Sequence, residues 1–241
     1  MTKATPPADA QSVIDPQLLL LAYRSGIFPM AETRDDPEIM WIEPRERAIF
    51  PLDGLTLSRS LVKTLRRDRF TVTCNQAFEQ VIAGCAAPRD GEDGDVSESW
   101  ISHRITASYV LLHKLGHAHS VECWRDGQLV GGLYGVGFDR VFCGESMFSR
   151  ESDASKVALC WLVAAMRAAG MELLDCQFMT SHLASLGAVA MPQARYLEMV
   201  ARACRPVEEA PYRSLPQGFQ SLAGASSSPG KVIAQSLIQT S

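Results

Sequence analysis

His119 to Phe178 reads HSVECWRDGQLVGGLYGVGFDRVFCGESMFSRESDASKVALCWLVAAMRAAGMELLDCQF. Three runs in it, HSVECW, QLVGGLYGV and RVFCGESMF, have the length and the apolar content of strands. Asp126-Gly127 separates the first two and is a hairpin-turn dipeptide, since such turns need residues that tolerate a positive φ. Gly137-Phe138-Asp139 is placed to turn the second pair. SKVALCWLVAAMRAAG then reads as a nearly all-apolar helix ending at Gly170, and MELLDCQF as a short apolar strand.

Working outward, SRSLVKTLRRD is a helix capped by Ser58, RFTVTCN alternates like a strand, and AFEQVIAGCA and RITASYVLLHKLG are helices, the latter closed by Gly116. Downstream, SHLASLGA and QARYLEMVARA are two further helices. The order strand, two helices, three antiparallel strands, helix, strand, helix is that of an α+β, acetyltransferase-like (GNAT) fold, which constrains architecture and not chemistry. Residues 51–214 form this domain. Residues 1–50 are expected to be a small N-terminal unit. Its first eleven residues are read as disordered, followed by the helix DPQLLLLAYRSG with Asp15 as N-cap and Pro16 at N1, then a Pro- and charge-rich looped stretch. Residues 215–241 are Ser/Gly/Gln-rich and are expected to be a flexible tail with a weak helix at KVIAQSLIQ.

The chain has 241 residues, 46% of them hydrophobic, enough for one large domain. A net charge of -4 excludes a protein that coats nucleic acid, so an RNA contact has to be a local patch. Seven cysteines without a CxxC pair suit a reducing, cytoplasmic setting. No apolar signal core stands at the N-terminus, and the longest apolar run, Val157 to Met166, is too short to span a bilayer.

Several residues could carry chemistry. Glu145, next to Gly144 near the end of a strand, is costly to bury without a partner. It either pairs internally with Arg150 or Lys156 or accepts from a substrate amine. Asp175 and Gln177, two apart on a strand, are expected to share a face. They are either edge-strand polar residues or a pair in which the carboxylate orients the amide. Arg59, Lys63, Arg66 and Arg67 form a basic cluster at helical spacing, read as a solvated face or as a phosphate contact. Trp41 and Trp100 lie in loops, as packing anchors or as platforms for unpaired bases. His113, His117 and His119 form HxxxHxH, but Gly116 interrupts the helix, so no metal is assigned. The glycines from Gly131 to Gly137 lie inside strands and open no helix, which excludes a phosphate loop. The Gly-rich acetyl-CoA loop is also absent: the long helix is entered through Ser149 to Ser155.

LLLAYRSGIFP, NQAFEQVIAGCA, LHKLGHAHSVECW, LVGGLYGV, VFCGESMFSR, ASKVAL, DCQ and HLASLGA, in that order, closely resemble the bacterial leucyl/phenylalanyl-tRNA–protein transferases from about Leu18 to Ala203. The resemblance implies transfer of Leu, and less readily Phe, from aminoacyl-tRNA to proteins beginning with Lys or Arg, marking them for N-end rule degradation. It implies a cytoplasmic monomer that needs no metal or nucleotide. It assigns Glu145 to the aminoacyl amine, Asp175 and Gln177 to catalysis, and Leu133, Phe142 and Leu162 to the side-chain pocket. Trp100 would meet the terminal adenosine, and the basic helix the acceptor stem. Met30 stands where the family usually has a tryptophan flanking that adenosine. The N-terminal unit is shorter than in many relatives, and the loop APRDGEDGDVSES ahead of Trp100 is longer and more acidic. Two alternatives stay open: an acetyl-CoA-dependent N-acetyltransferase and a tRNA-binding module without activity.

Overall fold

The structure, a computed structural model, describes residues 13–90, 96–97, 99–206, 213–224 and 226–238. The N-terminal stretch expected to be disordered and most of the acidic loop lie outside the described residues. The chain opens with α1 (Pro16–Arg24), β1 (Phe28–Met30), β2 (Met40–Ile42) and β3 (Glu46–Phe50). α2 (Arg59–Arg66), β4 (Thr71–Cys74), α3 (Phe78–Cys85) and the short strands β5 (Arg89–Asp90) and β6 (Val96–Ser97) follow. Next come α4 (His103–Lys114), β7 (Ala118–Arg125), β8 (Gln128–Phe138), β9 (Val141–Ser149), α5 (Ala154–Ala169) and β10 (Leu173–Gln177). The last elements are α6 (Ser181–Ser185), β11 (Val189–Pro192), α7 (Gln193–Ala203), α8 (Leu215–Ala223) and α9 (Pro229–Ile238).

Local chemistry sets the main boundaries. Asp15 accepts from the amides of Gln17 and Leu18 ahead of α1, and Ser58 accepts from that of Leu61 to cap α2. Asp126 and Gly127 take φ of 50° and 76° and join β7 to β8. The turn into β9 falls at Asp139-Arg140, later than expected, because β8 runs on to Phe138 and Asp139 itself takes the positive φ. Gly170, at φ 76°, ends α5.

Seven strands form one mixed sheet in the order β11-β3-β10-β9-β8-β7-β4. β9 and β10 are parallel neighbours and the other adjacent pairs are antiparallel. A parallel pair needs a crossover, which α5 supplies. The sheet has an apolar core on each face. One gathers Phe50, Leu133, Phe142 and Leu174 with α2, α5, α8 and α9. The other gathers Ile49, Tyr134, Val141, Cys143 and Leu173 with α1, α3, α4 and α7.

Two expectations are corrected. The N-terminal stretch is not looped throughout to residue 50: β3 lies inside the sheet between β11 and β10. Its sequence ERAIF reads poorly as an inner strand because Arg47 is charged. The Arg47 side chain is nonetheless buried and paired across the sheet. The C-terminal segment is not a flexible tail. Leu215 and Phe219 of α8, with Ile233, Ala234 and Leu237 of α9, are buried against α5 and α2. Phe219 meets the Trp161 ring at 4.9 Å, and Asp68 receives the Gly230 amide at 2.8 Å at the start of α9. The polar linker between the two helices dominates the composition and hides their apolar faces. Phe219→Ala should therefore cost about 3 kcal/mol in urea unfolding, the range of a core aromatic truncation. A loss below about 0.5 kcal/mol, typical of a surface site, would mean that α8 adds nothing to the fold.

Candidate active site

β9 and β10 pair only from Val141 to Cys143 and from Leu173 to Asp175. Each strand then carries a bulge. Tyr134 faces Ser146 and Gly135 faces Gly144, so Glu145 is the extra residue of β9. Asp175 faces Ile49 and Gln177 faces Ala48, so Cys176 is the extra residue of β10. Gln177 has φ 56°, in the left-handed region. A cavity of about 920 Å³ opens where the strands stop pairing. Leu133, Leu159, Leu162, Leu174 and Leu183 line it on the α5 side, and Phe28, Met30 and Trp100 on the other. The cavity thus passes through the sheet, with Glu145 and Gln177 at the crossing.

Glu145 makes no ion pair with Arg150 or Lys156. Arg150 donates to the Leu129 carbonyl, and Lys156 pairs with Asp153. The Glu145 Oε1 accepts from the Tyr23 hydroxyl at 2.8 Å and from Gln177 Nε2 at 3.2 Å, and Oε2 accepts from the Tyr109 hydroxyl at 3.2 Å. The two tyrosine hydroxyls also lie against each other, and since each has a single proton, one of these three contacts draws on the proton of the Glu145 carboxyl. Withdrawal from water pushes the Glu145 carboxyl up to about 8, against a lowering by the Tyr23 hydrogen bond and with a further push from the Asp175 charge. No salt bridge reaches it among the described residues, so the carboxyl stays neutral unless a cationic ligand beside it draws it into its charged form.

Asp175 does not hold the Gln177 side chain, as two residues on one strand face would require. The bulge at Cys176 breaks that alternation. Asp175 is fully buried, and Arg47 grips it in a bidentate pair, Nε to Oδ1 at 2.9 Å and Nη2 to Oδ2 at 2.7 Å. The Gln177 backbone N–H donates to Oδ1 at 3.0 Å and the Tyr196 hydroxyl to Oδ2 at 3.2 Å. The side-chain amide of Gln177 donates to Glu145 instead, which leaves its carbonyl oxygen as the acceptor.

Of the expected pocket residues, Met30, Trp100, Leu133 and Leu162 line the cavity together with Glu145 and Gln177. Phe142 does not: it is completely buried behind the wall, and a Cβ on Gly135 would stand 2.5 Å from its ring. Arg59, Lys63 and Arg66 are exposed on α2, and Arg67 is exposed at its C-cap. Two of the three histidines are bound up locally: His113 stacks on Phe78 at 4.3 Å, and His119 bonds Asn75 at 3.0 Å. Arg47, Tyr23, Tyr109 and Tyr196 escaped the sequence reading. Tyrosines within apolar helix faces were the available signal, because a buried hydroxyl seeks a partner.

Two family models match the chain. The leucyl/phenylalanyl-tRNA protein transferase model covers residues 49–201, and the model of that family's N-terminal domain covers residues 13–45. A leucyl/phenylalanyl-tRNA–protein transferase of Novosphingobium aromaticivorans is 58% identical, with 95% of this chain and 97% of that one covered. One from Rhizorhabdus wittichii is 56% identical over 78% of this chain and 74% of that one. The C-terminal domain of a putative lysylphosphatidylglycerol synthetase from Agrobacterium fabrum is a looser likeness in solved structure. Its TM-score is 0.36 at 14% identity, with 86% of this chain and 63% of that one covered.

The chain belongs to the leucyl/phenylalanyl-tRNA protein transferase family. Within the stretches that the two models of this transferase family match lie Tyr23, Met30, Trp100, Glu145, Asp175 and Gln177. Arg47 falls in the short gap between the two, and α8 and α9 lie beyond the second.

The Glu145 titration is testable through stability. Its ordinary value is 4.5 and its folded value about 8, so between these the folded protein keeps a proton that the unfolded chain has released. The stability from this group is complete below the ordinary value and is lost as the pH rises through the folded one. Glu145→Gln removes the titration. Urea unfolding at a series of pH values should show the balance moving toward the variant by up to about 1.4 kcal/mol per pH unit between about pH 5 and 8. Parallel pH curves for the two proteins would mean that Glu145 ionises like an ordinary surface carboxyl.

Proposed function

We propose that the protein transfers leucine, and less readily phenylalanine, from aminoacyl-tRNA to the N-terminal amine of an acceptor protein. The observation that carries this reading is the cavity that crosses the sheet between β9 and β10, with Glu145 and Gln177 at the crossing. An aminoacyl ester has three unlike parts, and the cavity offers each a matching wall. The leucyl side chain suits the apolar half formed by Leu133, Leu159 and Leu162 on the α5 side. The α-ammonium suits Glu145, which has no cationic partner among the described residues and would ionise beside one. The terminal adenosine suits the half with Trp100 and Met30, where an aromatic face can stack on an unpaired base.

In the reaction the acceptor nitrogen attacks the ester carbonyl, the C–N bond forms, and the bond to the ribose oxygen breaks. The proton lost by the nitrogen leaves with that oxygen. The Gln177 carbonyl oxygen accepts a hydrogen bond from the attacking amine, because its NH₂ is committed to Glu145. A neutral amide is a poor base, so orientation is its contribution. Asp175, with both oxygens occupied, acts by holding Gln177 and not as a base.

The family resemblance alone supports the finer terms: acceptors beginning with Lys or Arg, a role in N-end rule degradation, and a monomer working in the cytoplasm. No helix among the described residues is long and apolar enough to cross a membrane. We read the fold as GNAT-like. The antiparallel β7-β8-β9 run, the α5 crossover and the parting of β9 from β10 support this. Acetyl-CoA as donor is disfavoured by the entry to α5, where Asp153 at φ 70° and no glycine-rich turn precedes the helix. Arg59, Lys63, Arg66 and Arg67 are read as phosphate contacts because they are exposed together on one helix and its C-cap.

Labelled Leu-tRNA with a Lys-started peptide, run beside labelled acetyl-CoA, separates the readings. Label should reach the peptide only from tRNA. Label from CoA alone would move the protein to the acetyltransferases, and tRNA binding without transfer would leave a binding module. Gln177→Ala should lower kcat on the order of 10²-fold with little change in KM for Leu-tRNA. Wild-type turnover in that folded variant would remove Gln177 from the reaction. Arg59→Glu with Lys63→Glu should weaken tRNA binding and flatten the slope of log affinity against log salt by about 2. An unchanged slope would put the RNA contact on another surface.

A further inference from the structure

Arg47 has an unusual setting for a cation. It is completely buried, on an inner strand of the sheet. Its guanidinium lies between two aromatic rings, 4.9 Å from the centre of Phe28 and 4.6 Å from that of Tyr196. Its Nη1 donates to the Gly26 carbonyl at 3.0 Å, and its other edge fits the Asp175 carboxylate as a fork. Every direction in which the group could turn is therefore taken. A planar fork locked in this way fixes the plane of the carboxylate that it grips.

The consequence falls on Gln177. A glutamine at φ 56° is in a conformation costing roughly 1–2 kcal/mol for an L-residue. Its N–H is held by Asp175 Oδ1, the same oxygen that receives Arg47 Nε. That hydrogen bond offsets the strain, and its direction depends on the orientation of the carboxylate. The left-handed turn in its place points the side-chain amide at Glu145.

We propose that Arg47 is a positioning residue for aminoacyl transfer, acting through Asp175 to hold the Gln177 turn and so aim the Gln177 amide. The inference rests on the transferase reading above. It also ties both members of the Glu145–Gln177 pair to the end of α1. Tyr23, in the last turn of α1, reaches Glu145 directly, while Gly26 just beyond it anchors Arg47, and Arg47 in turn sets Asp175 and Gln177. Stability alone is a weak reason for such a pair. Apolar residues of like volume are often as stabilising as a buried ion pair, whereas a fork is hard to replace as an orienting device.

Two variants of the full chain test this. Arg47→Lys keeps the charge but replaces the fork with a single point. Tyr196→Phe keeps the ring against Arg47 and deletes only the hydroxyl, which donates to Asp175 and accepts from Arg47 Nη2 at 3.5 Å. Two readouts apply to each. The first is hydrogen exchange at the Gln177 amide in the free protein, referenced to the paired amides of β8. The second is steady-state transfer from Leu-tRNA to a Lys-started peptide. Arg47→Lys should speed Gln177 exchange about tenfold or more and lower kcat on the order of 10²-fold, with KM for Leu-tRNA within about threefold of wild type. Tyr196→Phe should move both in the same direction by about three- to tenfold. If Arg47→Lys does not fold, Tyr196→Phe decides by the same two measurements. Wild-type exchange at Gln177, unchanged kcat, or an effect confined to KM would overturn the proposal. Absence of transfer by the wild-type protein would instead overturn the transferase reading, and the exchange measurement would still decide whether Arg47 frames Gln177.

Discussion

Two parallel strands stay together only while their slanted hydrogen bonds continue, and β9 and β10 stop bonding after Cys143 and Asp175. The features of the site follow from that interruption. It leaves a gap in the middle of a seven-stranded sheet, with an apolar core on either side to wall it. A bulge in each strand begins at the gap, and one inserted residue turns all later side chains to the opposite face. Val141 and Cys143 lie on the α1 side and Phe142 on the α5 side. Past Glu145 the order is exchanged, with Met147 packing toward α5 and Phe148 away from it. Glu145 and Gln177 thus meet across the gap, although no strand pairing joins them.

The electrostatics of the two carboxylates diverge for the same reason. Asp175 sits where the strands are still paired, within reach of β3, and the single Arg47 guanidinium places one nitrogen on each of its oxygens. Glu145 sits where they have parted. Among the described residues it is reached by hydroxyls and an amide and by no cation, and burial away from water holds its carboxyl well above its ordinary range. Two acids a few residues from a common strand register therefore take different tasks. One is a saturated structural acceptor. The other is a buried carboxyl that ionises when a cation comes to lie beside it.

Much of the frame was legible locally. The β7-β8 turn, the caps of α1 and α2, the buried α5 and its glycine stop all follow from residues adjacent in the chain. Glu145, Asp175 and Gln177 stood out because polar groups at the ends of apolar strands need an explanation. What misled was the assumption of unbroken strand alternation. It put Asp175 beside the Gln177 side chain, while Phe142 was put in the pocket wall by the family resemblance. Composition likewise misled at the C-terminus, where Ser- and Gly-rich linker residues outweighed the spaced apolar positions of α8 and α9.

The sequence by itself determined the α+β class, the order of most elements, the acidic chain with one basic helix, and the family. The family rests on motifs matched in order along the chain. The other properties depend on periodicity, turn chemistry and composition, which are read within a window of a few residues or over the whole chain. Only the tertiary structure decided which groups surround each acid. Arg47 and Asp175 are 128 positions apart, and Tyr23 and Glu145 are 122 apart. A buried charge is stable only beside its partner. Yet no local pattern says which distant donor the fold brings to it, because that depends on strand order, on register, and on where the two bulges fall.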